Sequence, residues 1–365
     1  MANVLDLRRR IRSVKNTRQI TKAMKMVAAA KLRRAQERAL AARPYARMIV
    51  SVLESLRRRV DLYDEKTGNL CNALFLTRPE KRVLLIVISG DKGFAGAFNA
   101  NILKTAYQFI AGNPDKEIDI EAIGRKGRDQ LRRRYPTASY TEEPVQRDSE
   151  SAGSLTQLHK VRSPRQGPVE VTGDHPGLLV KLEASRVQGL AHVIVSRYIH
   201  EEIDAAYLVY NEFKSVIAQR LVVERLLPLI DLESPQITGV AEPSAEEKER
   251  VAEAALSAGI DIEAADTTEA DEEARKFGTA EVDYIYEQPA EQLFAGLLPQ
   301  YIFSVLFHAM TESVAAEHAA RMTAMDSATN NASDMIDALT LHMNRVRQAA
   351  ITKEIIEIVS GAAAL

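Results

Sequence analysis

Apolar residues recur every three to four positions through both ends of the chain, and the pattern runs far longer than a globular domain needs. Steps of seven from Leu7 give Leu7, Val14, Thr21, Ala28, Ala35, Ala42, Ile49 and Leu56. The companion series Val4, Ile11, Arg18, Lys25, Leu32, Ala39, Ala46, Leu53 and Val60 completes a heptad seam. Only Arg18, Thr21 and Lys25 interrupt it, within about two helical turns. At the other end Met322, Met325, Thr329, Ala332, Ile336, Leu339, Met343, Val346 and Ala350 form one stripe, and Ile351, Ile355, Ile358 and Ala362 begin another, offset by one residue. No Gly or Pro lies between Tyr301 and Ser360, and Pro44 is the only such breaker before Gly68. Each end therefore predicts a single helix, roughly residues 3–60 and 298–360, of about 85–95 Å if unbroken. A domain built from the ~230 residues between them would be about 45 Å across. The two helices must project from it, side by side, as a shaft. The many alanines imply close approach of the two backbones.

Between the ends the period changes. Arg82–Ser89 (RVLLIVIS) is a continuous β-branched run, the mark of a buried strand, and it leads through Gly90, Gly93 and Gly96 into a helix from about Asn99. Ile118–Gly124 predicts a second strand followed by a basic helix, Arg125–Arg134. Ile203–Phe213 predicts a third, with Val216–Leu227 as its hairpin partner. Strand–helix–strand order implies an α/β sheet. Two stretches lack periodicity and read as mobile surface insertions: about 141–168, rich in Ser, Pro, Gln, Gly and Arg, and about 231–281, acidic and rich in Ala and Glu. Inside the second, Ala245–Ser257 predicts a short helix with Ser244 as N-cap and Glu247 completing a capping box. The domain organisation expected is a helix over 1–60, an α/β domain over 75–297 that carries both insertions, and a helix over 298–365.

Charge sharpens this picture. The net charge of −2 conceals a separation: residues 1–60 hold 17 Lys or Arg against Asp6, Glu37 and Glu54, a net +14, while residues 231–283 carry −12. A basic helix meets nucleic acid, an anionic membrane surface or an acidic protein. No run approaches the ~18 apolar residues of a membrane span, and the N-terminus has no signal-peptide core, so the chain is expected to stay where it is made. Cys71 is the single cysteine, which excludes an internal disulfide and a multi-thiolate metal site. The glycine loop Gly90–Gly96 matches neither the dinucleotide fingerprint nor the phosphate loop, and reads as a tight strand-to-helix junction. The histidines are scattered. No constellation of residues reads as an active site, and no cofactor is expected.

The terminal segments Ile11–Lys31 (IRSVKNTRQITKAMKMVAAAK), Glu317–Ala332 (EHAARMTAMDSATNNA) and Asn344–Ala364 (NRVRQAAITKEIIEIVSGAAA) closely resemble the gamma subunits of F-type ATP synthases, bacterial in type with two insertions. Ser89–Asn99 (SGDKGFAGAFN) and Tyr210–Ser215 (YNEFKS) are similar to that family's Rossmann-like domain. About four-fifths of the chain takes part. The resemblance implies an antiparallel coiled coil of the two terminal helices plus a Rossmann-like α/β domain, acting as a non-catalytic central rotor that couples proton flow to ATP synthesis and hydrolysis. It implies one copy per complex and the alpha and beta subunits, the epsilon subunit and the membrane c-ring as partners. It places the chain peripherally, on the cytoplasmic face of the bacterial inner membrane.

Residue by residue, the resemblance assigns Lys22, Met24 and Lys25 to a segment facing an acidic loop of the catalytic subunit, and Arg347, Gln348 and Thr352 to polar contacts with the catalytic ring. Ile355, Ile358, Val359 and Leu365 would turn in an apolar bearing, and Tyr284, Tyr286 and Glu287 would meet the membrane ring at the foot. The acidic insertion lies about where photosynthetic relatives carry a regulatory loop; without cysteine it could act only as a steric or electrostatic brake. Two other readings rest on single features. A basic coiled-coil nucleic-acid-binding protein would explain the charge of the first helix but lacks interleaved aromatics. A nucleotide-binding α/β enzyme rests on Gly90–Gly96 alone.

Overall fold

The computed structural model describes residues 4–60, 72–144, 158–213, 219–230, 232, 236–242, 244–260 and 286–363. Helix α1 (Val4–Arg57) runs unbroken through Pro44. Its buried positions Leu7, Ile11, Thr21, Lys25, Ala28, Leu32, Ala35, Ala39, Ile49, Leu53 and Leu56 are members of the two heptad series, and Ala29 is buried beside them. Its partner is the last helix, α6 (Ala290–Ala363), which begins eight residues before the expected 298 and continues through Pro299. Phe294 and Leu298 are the reason: both are buried, and Phe294 stacks on Phe75 with ring centroids 5.8 Å apart. Burying two such side chains contributes about 3–6 kcal/mol, enough to offset the ~3 kcal/mol cost of an interior proline.

The sheet has the order β5-β2-β1-β6-β7-β8. Strands β1 (Arg82–Ile88), β2 (Glu117–Ile123), β5 (Val169–His175) and β6 (Ala205–Phe213) are parallel. Strands β7 (Gln219–Leu227) and β8 (Gln236–Ala241) extend it antiparallel. Helices α2 (Phe98–Ala111), α3 (Arg125–Arg134) and α4 (Ala184–Ile199) connect the parallel strands. Alternation along β1 divides the interior. Leu84, Ile86 and Ile88 join a core with α4, the start of α6 (Leu298, Ile302, Leu306, Met310) and the end of α1 (Leu53, Leu56). Val83, Leu85 and Val87 join a second core with α2, Ala28 and Leu32 of α1, and Ala315, Ala319 and Met322 of α6. By length and composition α6 holds a stretch apolar enough to cross a membrane, contrary to the expectation from unbroken runs. Its first half supplies Leu298, Ile302, Leu306 and Met310 to the core instead.

Both expected insertions carry regular structure. In the first, β3 (Tyr140–Pro144) and β4 (Leu158–Arg162) pair as an antiparallel hairpin. Arg162 and Arg165 anchor its base on Asp119 of β2, at 2.7 and 2.9 Å. In the second, β8 adds a strand to the sheet and α5 (Ala245–Ser257) follows, started by Ser244 and Glu247 in a reciprocal capping box. Neither β5 nor α4 was expected.

Candidate functional site

In an open α/β sheet, ligands bind outside the carboxyl ends of the strands where the strand order reverses. Here that crevice lies beyond β1, which has β2 on one side and β6 on the other. Helix α6 occupies it. A Cβ at Gly90 would come within 2.8 Å of the Glu317 carboxylate. Arg321 pairs with Glu317 at 2.5 Å and donates to the carbonyls of Gly93 at 3.3 Å and Lys92 at 3.4 Å. It also donates to His318 Nδ1 at 3.1 Å. Burial, with Arg321, Lys31 and Lys92 nearby, pushes His318 down to about 4, so its ring is neutral and able to accept. The glycine loop thus seats a helix, and the absence of a Cβ at 90 leaves room for the Glu317 carboxylate. A cleft of about 570 Å³ opens nearby between α2, the β7–β8 edge, α5 and α6, lined by Ala95, Lys104, Leu221, Lys248, Val251 and Ala324 among others.

The shaft surface is built by the α1–α6 register. Thr329 Oγ1 donates to Thr21 Oγ1 at 2.8 Å, and Lys25 Nζ meets Asp326 Oδ1 at 2.8 Å. This places Val4 opposite residue ~346 of α6, by the sum of paired positions in an antiparallel seam. Exposure follows that limit. Met343 and Val346 are half-buried, and every residue from Arg347 to Ser360 is exposed. Arg347, Gln348 and Thr352 lie on this single helix; the Thr352 hydroxyl is turned back onto the Gln348 carbonyl at 3.0 Å. Ile355, Ile356, Ile358 and Val359 are 55, 58, 72 and 62 % exposed. They point in several directions around one helix, which would be buried in a self-contained protein. The offset stripe after Ala350 therefore belongs to a part of α6 beyond the described reach of α1. Leu365 lies outside the described residues.

The remaining expected contacts divide. Lys22 is exposed and Met24 half-buried. Lys25 is only 7 % exposed: it is drawn into the seam by Asp326 and by Ser257 Oγ, 2.9 Å away on α5, so it does not face outward as expected. Tyr286 is half-buried beneath Arg59, two residues past the end of α1, whose guanidinium lies 5.1 Å from the ring centre, and Glu287 is exposed. Tyr284 lies outside the described residues, as does Cys71. Sequence reading missed Ser257, Glu317, Arg321 and Asp326. For Glu317, Arg321 and Asp326 the one signal is a charged residue on or beside the apolar stripe of a long helix; Ser257, at the end of the short α5, carries none.

The sequence model of the family described as ATP synthase matches residues 3–365. The ATP synthase gamma chain of Solibacter usitatus is 43 % identical over 100 % of this chain and 99 % of its own length. That of Pelotomaculum thermopropionicum is 38 % identical over the whole of both. Among solved structures, the central stalk and c-ring of the Tetrahymena thermophila mitochondrial ATP synthase aligns with a TM-score of 0.48 at 21 % identity, over 85 % of this chain and 99 % of that one. With its whole length matched by the family and by full-length relatives well above 30 % identity, the chain belongs to the ATP synthase gamma chain family.

Proposed function

We propose that the chain is the central rotary shaft of an ATP synthase and performs no bond chemistry itself. The observation that carries this reading is the bare apolar end of α6, held far from the sheet by a helix pair whose base is locked into both cores. A shaft must resist twisting at its base and slide at its tip. The base qualifies: Leu298, Ile302, Leu306 and Met310 are fully buried, and Glu317 and Arg321 grip the glycine loop. The tip qualifies as well, because apolar contact is non-directional and has no hydrogen bonds to break at each angle.

In this reading proton flow turns the α/β domain, the helix pair carries the turn into a ring of alpha and beta subunits, and unlike faces of the shaft drive each catalytic site through open and closed states. The basic outer face of α1, with Lys22 and Met24, meets an acidic segment of the catalytic subunits. Arg347, Gln348 and Thr352 make polar contacts further along, and Ile355, Ile358, Val359 and Leu365 turn in the bearing. Tyr284, Tyr286 and Glu287 stand at the foot beside the c-ring and epsilon subunit. The complex lies on the cytoplasmic face of a bacterial membrane. The family match includes the basic helix, which leaves the nucleic-acid reading without support. The test is rotation. In a complex reconstituted with alpha and beta subunits, a probe fixed to the α/β domain should turn when ATP is added; hydrolysis at full rate with a stationary probe refutes the reading.

A further inference from the structure

The seam between α1 and α6 is weakest where its core positions turn polar. Thr21 faces Thr329 there, Lys25 faces Asp326, and the neighbouring buried residues Ala28, Ala29, Ala316 and Ala319 each bring one methyl group. Two helices meeting on such residues bury little apolar area, and a buried ion pair adds little net stability. Lys25 poses a further demand. A buried ammonium carries three protons and needs acceptors for them. Among the described residues, α6 supplies Asp326 Oδ1 at 2.8 Å, and the other two acceptors come from α5: Ser257 Oγ at 2.9 Å and the Ser257 carbonyl at 3.5 Å. Helix α5 also closes the seam physically. Its Ala254 and Ala255 are fully buried in the core that contains Ala28, Leu32, Ala319 and Met322.

The same helix is anchored elsewhere. It follows β8 after a few residues, and β8 pairs with β7 along most of its length, from Gln236 opposite Arg225 to Ala241 opposite Leu221. We propose that α5 is a splint: it stiffens the shaft at its polar break and, through β8, ties that break to the edge of the sheet. Twist applied at the α/β domain then reaches the upper shaft by a route besides α1 and α6 themselves. The stiffening stands on the contacts of this chain alone, whereas its mechanical use rests on the rotor reading above.

Hydrogen–deuterium exchange on the full-length chain tests the stiffening. Ala255→Glu should expel α5, and the amides of Lys15–Lys31 in α1 should then exchange roughly tenfold faster or more, with β1 and β6 unchanged. Faster exchange in α5 itself, with α1 still protected, overturns the splint. Ser257→Ala removes one acceptor while leaving α5 docked, and should raise exchange around Lys25 a few fold; no change there counts against it equally. In the reconstituted complex, a probe on the α/β domain should show a broader angular spread for Ala255→Glu when the catalytic sites are stalled. An unchanged spread overturns the mechanical role, and an unchanged spread with faster hydrolysis assigns α5 to braking instead. A wild-type complex that never rotates defeats the rotor reading and leaves the exchange result to stand or fall alone.

Discussion

Two buried carboxylates show how opposite surroundings drive opposite responses to pH. Burial alone would push the Asp119 carboxyl up, but the guanidinium groups of Arg162, Arg197 and Arg165 outweigh it and hold the group below the usual carboxylate range. A depressed carboxylate contributes stability above its unfolded pKa of ~3.9, and that contribution is lost as pH falls through the folded value. Asp119→Asn takes away a carboxylate shared by three arginines, which keep Glu170, Glu117, Glu121 and Glu202 as partners; it should cost about 1–3 kcal/mol at pH 7, read from urea unfolding, with the cost shrinking below pH ~4. Glu224 is the reverse case. Burial pushes it up to about 7, although the Tyr210 hydroxyl donates to it at 2.9 Å. Its contribution is complete below ~4.3 and disappears as pH rises through the folded value. Glu224→Gln keeps an acceptor for Tyr210 and removes the penalty. The variant should be more stable than wild type by about 3 kcal/mol at pH 8 and no more stable at pH ~4; equal gains at both pH values would contradict the assignment.

At the scale of elements, two glycines separate close approach from backbone strain. A Cβ at Gly90 meets the far end of the Glu317 side chain, which can move, while one at Gly124 would lie 1.8 Å from the Ser89 carbonyl on a residue with φ of +87°. Gly90→Ala should therefore lower stability by about 1–3 kcal/mol and loosen the grip of Arg321 on the loop, whereas Gly124→Ala should prevent the soluble chain from accumulating. Thermal melts and soluble yield distinguish them. Elements with strong periods were legible: the heptads of α1, the β-branched run of β1 and the capping box of α5 all form where the local pattern puts them. Helix α4 carried the signal as well, since Val187, Leu190, Ala191, Ile194 and Val195 keep helical spacing. Strand β5 did not, because its buried Glu170 and Thr172 serve Arg162 and Glu121 rather than an apolar core. What could not be read locally was pairing across the chain. Lys25 read only as a break in the seam and, by resemblance, as part of a segment facing the catalytic subunit, because its acceptors, Ser257 and Asp326, lie more than 200 residues away.

For the whole molecule the governing quantity is the unequal length of its two long helices. With 54 and 74 residues, α1 and α6 span about 81 and 111 Å at 1.5 Å per residue. From the antiparallel register, the last ~25 Å of α6 stand alone. Exposed isoleucines there contribute nothing to the fold of the isolated chain, so Ile358→Asp should change its unfolding free energy by less than about 0.5 kcal/mol. The same substitution should weaken assembly with the catalytic subunits, because a charge would enter an apolar bearing. Truncation separates bearing from shaft. Removing Gly361–Leu365 takes only the extreme tip and should weaken assembly modestly while rotation persists. Removing everything after Met343 takes the whole single-helix segment, with Arg347, Gln348 and Thr352, and should abolish proton-driven ATP synthesis. The shortened chain should still fold, since the seam on the α1 side of Met343 remains. Thermal melting of the truncated chain and synthesis by its reconstituted complex give the two readings. A folded truncation that still supports wild-type synthesis would mean that torque reaches the catalytic sites without the upper shaft.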